Sequence, residues 1–149
     1  MIIVARTDPH DPQATALLRQ SHALMQSLFD EGDCHYLNID DLCAPHIRFF
    51  TARRGDTVIG TAALAIKDGY GELKSMFVSE DARGSGAADA LMRQLEDEAI
   101  AENLPMLKLE TGDVLHAAHK MYFRHGFTIC EAFGDYPTAD ASVFMEKQL

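Results

Sequence analysis

Residues 78–88 have the sequence Val-Ser-Glu-Asp-Ala-Arg-Gly-Ser-Gly-Ala-Ala, the most informative segment of the chain. A predicted strand ends at Val78, two glycines follow, and an amphipathic helix begins at once. Glycines allow a tight turn and bring backbone N–H groups close to a ligand, and a helix N-terminus offers unpaired donors with a positive dipole potential. Arg83 adds a cation that suits phosphate oxygens. The segment predicts an anion-binding loop; the structural alternative is a tight turn with a solvated arginine.

The second half of the chain alternates helices and strands around this loop. Apolar residues recur at helical spacing and predict an amphipathic helix over Gly86–Asn103; they are Ala88, Leu91, Met92, Leu95 and Ala99. Further elements are predicted as a strand at Met106–Glu110, a helix at Leu115–His125, and strands at Phe127–Ala132 and Ser142–Lys147. Because a helix separates the strands at 72–78 and 106–110, these two strands should form a parallel, right-handed βαβ crossover.

The first half of the chain predicts one helix and a run of antiparallel strands. The predicted elements are a strand over 1–6, a helix from Pro12 to about residue 30, and strands at Ile47–Ala52, Thr57–Ile66 and Glu72–Val78. Asp11 precedes Pro12 as a candidate N-cap, and residues 30–46 are turn-rich. The whole chain, 1–149, is therefore predicted to be one α/β domain with helices layered on a mixed, mostly antiparallel sheet.

The composition argues against several classes of function. The chain has 149 residues, with 13 Lys and Arg against 23 Asp and Glu, for a formal net charge of −10. It has no basic block, so binding to nucleic acid or to an anionic membrane surface is not expected. The apolar runs are far shorter than the ~20 residues that span a bilayer, and no signal peptide is visible. Cys34, Cys43 and Cys130 form no Cys-x-x-Cys pair, which favours reduced thiols and a cytoplasmic location.

Two other phosphate-binding motifs compete for the same loop. A Rossmann dinucleotide site also places Gly-x-Gly between strand and helix, with an acidic residue after the next strand, where this chain has Glu110. Its third glycine position is taken by Asp89, whose bulk and charge oppose close helix packing, and no second mononucleotide-binding half is present. A Walker A loop is excluded because no Gly-Lys-Ser/Thr follows the glycines. A nucleotide-binding oxidoreductase fragment stays an alternative that NAD binding would test.

Two motifs together resemble those of a known superfamily. Val78, the Arg-Gly-Ser-Gly-Ala-Ala run over 83–88 and Leu91 resemble the pyrophosphate-binding motif of the GNAT acyl-CoA N-acyltransferases. Leu-Glu-Thr over 109–111 and Ala-His-Lys-Met-Tyr-Phe-Arg-His-Gly-Phe over 118–127 are similar to the second signature of that family. With the order of the elements, the resemblance covers nearly the whole chain. The sequence departs from the pattern at Glu80, where proline is common, and at Leu115, where an asparagine often contacts the cofactor.

The resemblance implies a GNAT fold and direct transfer of an acetyl group from acetyl-CoA, as co-substrate, to an amine. The strand that carries Met76, Phe77 and Val78 would diverge from the strand at 106–110 and expose backbone groups to the pantetheine arm. The pyrophosphate would bind the loop residues Arg83, Gly84, Ser85, Gly86, Ala87 and Ala88. Tyr122 matches the position of the acid that protonates, or orients, the leaving thiolate. Glu72 is the candidate base, and Glu110 or water could take its place.

The acceptor is expected between the first helix, the 30–46 segment and the last strands. Candidate substrate-binding residues are Phe29, Tyr36, Glu110 and Tyr136. The acidic surroundings suit a cationic amine, either a small molecule or a peptide. No metal is expected, because the histidines at 116, 119 and 125 and the set Cys34, Cys43 and His46 lack the spacing of a ligand set. A non-catalytic acyl-CoA-binding regulator is the alternative function, and a homodimer is plausible for the family.

Overall fold

The computed structural model describes residues 1–149 as one seven-stranded sheet with helices on both faces. The strands are β1 (Ile2–Arg6), β2 (Ile47–Arg54), β3 (Thr57–Ile66), β4 (Gly71–Val78), β5 (Met106–Gly112), β6 (Thr128–Ile129) and β7 (Ser142–Gln148). The α-helices are α1 (Pro12–Leu28), α2 (Ala87–Ala101) and α3 (His116–Arg124), and short 3-10 turns lie at Glu31–Asp33, Asp41–Cys43 and Glu80–Ala82. No helix is both long and apolar enough to span a membrane.

The order of strands in the sheet creates a gap at its centre. The order is β1-β2-β3-β4-β5-β7-β6, and only β4 and β5 run parallel. These two strands pair only where Gly71 meets Leu107 and Glu72 meets Lys108, and beyond that point they diverge. We call the gap between them the splay. The predicted mixed sheet with a parallel βαβ crossover is confirmed.

A bulge in β4 lies beside the point of divergence. The register between β3 and β4 shifts between Thr61 and Ala63, and Ser75 adopts a left-handed φ of 55°. Thr61 Oγ1 donates to the Ser75 carbonyl at 2.8 Å, which holds the bulge in place. Bulges bend a strand and are common next to active sites, and this one accompanies the loss of β4–β5 pairing.

The two faces of the sheet bury separate apolar clusters. On one face, α2 presents Leu91, Met92 and Leu95, all fully buried, against β3, β4 and β5. The predicted helical periodicity of α2 is thereby confirmed. On the other face, α1 packs Ala14 and Leu18 against residues of β2 and β3.

The ends of the elements agree with the local sequence except near the C-terminus. The Asp11 side chain accepts the Ala14 N–H at 3.1 Å, so the candidate N-cap of α1 is confirmed. The strand predicted at Phe127–Ala132 is wrong in length, since β6 covers only Thr128–Ile129. The chain leaves the edge of the sheet so that Phe133 can pack edge-to-face against Phe144, with ring centroids 5.6 Å apart.

Candidate active site

The loop between β4 and α2 has the geometry of an anion-binding cradle, which we define as residues 83–88. Gly84 and Gly86 have φ values of +81° and +91°, a conformation that L side chains rarely adopt. A Cβ at either position would meet no atom within 4 Å, so open space lies in front of both glycines. The first N–H groups of α2 have no intrahelical acceptors and carry the positive end of the helix dipole. With the exposed Arg83 side chain, the cradle fits a phosphate-bearing ligand.

The negative charge of Asp89 in the first turn of α2 is neutralised by the end of α3. Arg124 and His125 each place a nitrogen 2.7 Å from Asp89 Oδ1. These hydrogen bonds, from His125 first and then Arg124, hold the pKa of Asp89 below its ordinary value. The Asp89 carboxylate, whose charge argued against a Rossmann site, is therefore paired with the C-terminal end of α3.

A narrow cleft of about 100 Å³ lies in the splay and contains Tyr122. Ser75 and Met76 of β4, and Glu110 and Thr111 of β5, line it from the two diverging strands. The Tyr122 side chain is buried, and its hydroxyl forms no hydrogen bond with another protein group. Burial raises the pKa of this phenol above its ordinary value of 10, with a smaller contribution from the Glu110 charge. The hydroxyl therefore stays protonated at neutral pH and can give its proton to a group bound in the cleft.

Glu110 lies in the same narrow cleft with one strong protein hydrogen bond. Ser142 Oγ donates to Glu110 Oε2 at 2.8 Å. Burial raises the pKa of the Glu110 carboxyl, and the Ser142 hydrogen bond opposes that rise. A carboxylate that is costly to keep charged is a better proton acceptor than a solvated one.

A wide cleft of about 570 Å³ opens on the α1 face of the sheet next to the narrow one. Its walls include Tyr70, Glu72 and Tyr136. His35, Tyr36 and Lys74 line both clefts, so the two spaces meet at these three residues. A molecule in the wide cleft can therefore present one end to the splay.

Glu72 is buried and already paired. Its side chain is held by the Tyr136 hydroxyl, which donates to Oε2, and by Lys74 Nζ at 3.6 Å. Lys74 Nζ also donates to the Tyr136 hydroxyl at 2.6 Å. Burial and the adjacent Glu72 charge raise the pKa of Tyr136, so this phenol remains a donor. The three side chains form a compact polar unit in the wall of the wide cleft.

The remaining candidates of the sequence analysis occupy different places. Tyr36 stacks on His22 with ring centroids 4.0 Å apart, and its hydroxyl accepts from Gln26 at 2.7 Å. The Phe29 ring lies directly against Gly112, where a Cβ would come within 2.0 Å of the ring. Phe29 therefore requires a glycine at this end of β5 and closes the space beside it. Met76 lines the narrow cleft, whereas Phe77 and Val78 line neither cleft.

The residues of the clefts that the sequence analysis missed include His35, Lys74 and Ser75. Lys74 had a readable signal, because it lies two residues after Glu72 on a strand and must share its face of the sheet. His35 lies in the turn-rich segment after α1, where no periodicity indicates which way a side chain points. Ser75 faces the splay because of the bulge in β4, which no pattern in the sequence predicts.

The histidines and cysteines form no metal centre. No group of three His, Cys, Asp or Glu side chains is arranged to hold an ion. His119 Nε2 lies 2.8 Å from the Gly112 carbonyl oxygen, and His125 pairs with Asp89. The three cysteines are free thiols.

Comparisons with known proteins agree with this geometry. A protein named IAA acetyltransferase from Azospirillum brasilense is 37% identical, with 99% of this chain and 98% of the relative covered. The structure of a proposed acyl-CoA N-acyltransferase from Klebsiella pneumoniae is 28% identical, covers 100% of this chain and 98% of its own, and superposes with a TM-score of 0.84. The PaiA N-acetyltransferase from Thermoplasma acidophilum, solved with coenzyme A, shares the fold at 15% identity and a TM-score of 0.76, with 100% and 99% of the two chains covered.

The family model described as "Acetyltransferase (GNAT) family" matches residues 12–127, which include the cradle, the splay and Tyr122. Together with the 37% identical relative, this match shows which family the chain belongs to. The chain is an acyl-CoA-dependent acetyltransferase with acetyl-CoA as co-substrate, and it belongs to the GNAT family.

Proposed function

We propose that this acetyltransferase acts on a primary amine that enters through the wide cleft, carried by a small molecule or a peptide. The observation that carries the proposal is the meeting of the two clefts at His35, Tyr36 and Lys74. An amine at this junction would face the narrow cleft and the Tyr122 hydroxyl. The acidic balance of the chain, with a net charge of −10, attracts a cationic acceptor.

The cradle and the splay are proposed to bind acetyl-CoA along one continuous path. Arg83, Gly84, Ser85, Gly86, Ala87 and Ala88 would hold the pyrophosphate. The diverging strands leave backbone groups without sheet partners, and these would bond the pantetheine arm along Met76, Phe77 and Val78. Met76 is the one of these three that lines the narrow cleft; Phe77 and Val78 would contribute through the backbone of β4.

The proposed reaction is a direct attack of the amine on the thioester. A C–N bond forms at the carbonyl carbon, and the C–S bond breaks. An ammonium ion has three N–H bonds and the product amide keeps one, so two protons leave the nitrogen. One proton goes to a base before attack, and the other balances the proton that Tyr122 gives to the departing thiolate.

Two carboxylates are candidates for the base, and their surroundings differ. Glu72, the first candidate, is ion-paired with Lys74 and accepts a hydrogen bond from Tyr136, so its Oε2 already has two protein partners. Glu110 accepts one hydroxyl hydrogen bond, and burial raises its pKa. These contacts favour Glu110, which lies in the narrow cleft with Tyr122, as the group that finally takes the proton. Glu72 is then a residue that binds and orients the amine substrate.

The experiment that tests the function is thiol release from acetyl-CoA with a panel of amines, polyamines, amino acids and peptides. Reactions without amine, and reactions with CoA in place of acetyl-CoA, serve as controls. Amine-dependent release and the matching N-acetyl product by mass spectrometry are expected. If acetyl-CoA raises Tm but no amine in the panel supports release, the proposal is contradicted in favour of a non-catalytic acyl-CoA-binding module.

We also propose a cytoplasmic location and a homodimer for this protein. The free thiols of Cys34, Cys43 and Cys130 support the location, because disulfides are rare in reducing compartments. The homodimer rests on the resemblance to the family. Cell fractionation and light scattering after size-exclusion chromatography would test the two statements.

A further inference from the structure

His35 carries a buried nitrogen without a partner at the junction of the two clefts. Three buried side-chain atoms lack any hydrogen bond, namely His22 Nε2, His35 Nε2 and Ser75 Oγ. Buried polar groups in proteins are nearly always paired, so each exception needs an explanation. His22 lines neither cleft, whereas His35 lines both. A ligand that fills the clefts would therefore lie against the His35 side chain, whose Nε2 has no partner within the protein.

The surroundings of His35 hold its ring in place without using that nitrogen. The ring packs edge-to-face on Tyr136 with centroids 5.4 Å apart. The backbone carbonyl of His35 accepts from Lys74 Nζ at 3.0 Å. A charge on the ring would lower the pKa of Glu110, so the imidazole and that carboxylate are within electrostatic reach of each other. The groups near the His35 ring are thus the Glu72 carboxylate, the Lys74 ammonium, the Tyr136 phenol and the Glu110 carboxyl.

From this placement we propose that His35 is a further catalytic residue, whose Nε2 takes the first proton from the acceptor's ammonium group. The proposal rests on the proposed function. Imidazole is the side chain that changes charge most readily near neutral pH. Glu72 is less suited to this step because Lys74 and Tyr136 already contact its Oε2. Glu110 lies across the narrow cleft, where it can receive the proton from His35.

The protons balance in this scheme. The ammonium N–H bond breaks and its proton moves to His35 Nε2, which leaves a neutral amine with a free electron pair. That pair forms the C–N bond, and the C–S bond breaks as Tyr122 protonates the sulfur. The second amine proton restores the Tyr122 hydroxyl. The proton on His35 passes to Glu110 and then to solvent, so the enzyme returns to its starting state.

His35 should matter for amine acceptors that must lose a proton before attack, and not for amines that are already neutral. Benzylamine is an ammonium ion at neutral pH, whereas its isomer 4-methylaniline is a neutral amine of the same size. We expect His35→Gln to lower kcat with benzylamine by about 10²-fold, the scale of general base catalysis, and with 4-methylaniline by no more than about threefold. The KM for acetyl-CoA should be unchanged. Free imidazole should partly restore the activity of His35→Ala with benzylamine.

His22→Gln is the matched control, because His22 also has a buried, unpaired Nε2 but lies outside the clefts. His22 stacks on Tyr36, so His22→Gln should change the rates with both amines to the same extent and leave their ratio at the wild-type value. If His35→Gln lowers kcat equally with both amines, or with neither, the role proposed for His35 is overturned. Wild-type activity with these amines would still uphold the proposed function. A wild-type enzyme that acetylates no amine would overturn the proposed function itself, and the role of His35 with it.

Discussion

Replacing Tyr122 with phenylalanine isolates the hydroxyl in the narrow cleft from the ring that carries it. The ring belongs to the apolar cluster on the α2 face and packs edge-to-face against Phe127, with centroids 5.8 Å apart. Phenylalanine keeps these contacts. Because the hydroxyl has no protein partner, its removal leaves no buried donor or acceptor unpaired. We therefore expect the Tm of Tyr122→Phe to lie within about 2 °C of the wild type.

The effect on turnover should be much larger. A positioned acid contributes typically about 10²–10⁴-fold to the rate, which corresponds to about 2.7–5.4 kcal/mol of transition-state stabilisation. The proton is transferred only as the C–S bond breaks, so kcat should fall while the Kd for acetyl-CoA changes by less than about twofold. The cradle and splay contacts that are proposed to bind acetyl-CoA are untouched by the substitution.

Turnover is measured by thiol release at saturating acetyl-CoA with the best amine of the panel, and Kd by calorimetry. The pH profile gives a second test. Burial raises the pKa of Tyr122 above 10, so the phenol stays protonated and its ionisation should cause no loss of kcat between about pH 7 and pH 9.5. An unchanged kcat in Tyr122→Phe, or an alkaline loss in that range that disappears in the variant, would refute the assignment.

Two further predictions concern the cradle and the narrow cleft. Gly86→Ala should raise the KM for acetyl-CoA by about tenfold because a Cβ would enter the cradle. Gly55→Ala is the control, because Gly55 also has a left-handed φ, in the β2–β3 turn, and has no atom within 4 Å of the added Cβ. Both substitutions should lower the free energy of unfolding by about 1–2 kcal/mol through backbone strain, but Gly55→Ala should leave KM unchanged, and equal KM values in the two variants would contradict this. Glu110→Gln should raise Tm by about 2 °C at pH 8: burial raises the folded-state pKa of Glu110, so wild-type stability falls as pH rises through that value. The gain in Tm should be much smaller at pH 4, where the carboxyl is mostly protonated in both states. Calorimetry at the two pH values measures it, and an equal gain at both would show that charge is not its cause.

Local sequence was sufficient to predict the cradle and every helix and long strand, but not the length of β6. Gly84 and Gly86 occupy left-handed backbone positions, as the tight strand-to-helix turn requires. Leu91 and Leu95 are buried on the face of α2 that their spacing indicated. Such features depend on residues a few positions apart, because backbone conformation and helix periodicity are local properties. The resemblance to the family added the divergence of β4 and β5, which no local pattern indicates.

Tertiary structure alone decided how the clefts are lined. Glu72 could have been a solvated carboxylate at the end of a strand; its burial follows from Tyr136, which arrives from the loop before β7, and from Lys74. His35 reaches the junction because Lys74 holds its backbone carbonyl and Tyr136 packs on its ring. Tyr136 and Glu72 are 64 residues apart, and Lys74 and His35 are 39 residues apart, so these contacts exist only after the sheet brings the segments together. The sequence by itself determined the cradle and the elements that carry the site, whereas the protonation chemistry depends on burial and on long-range partners that only the folded chain supplies.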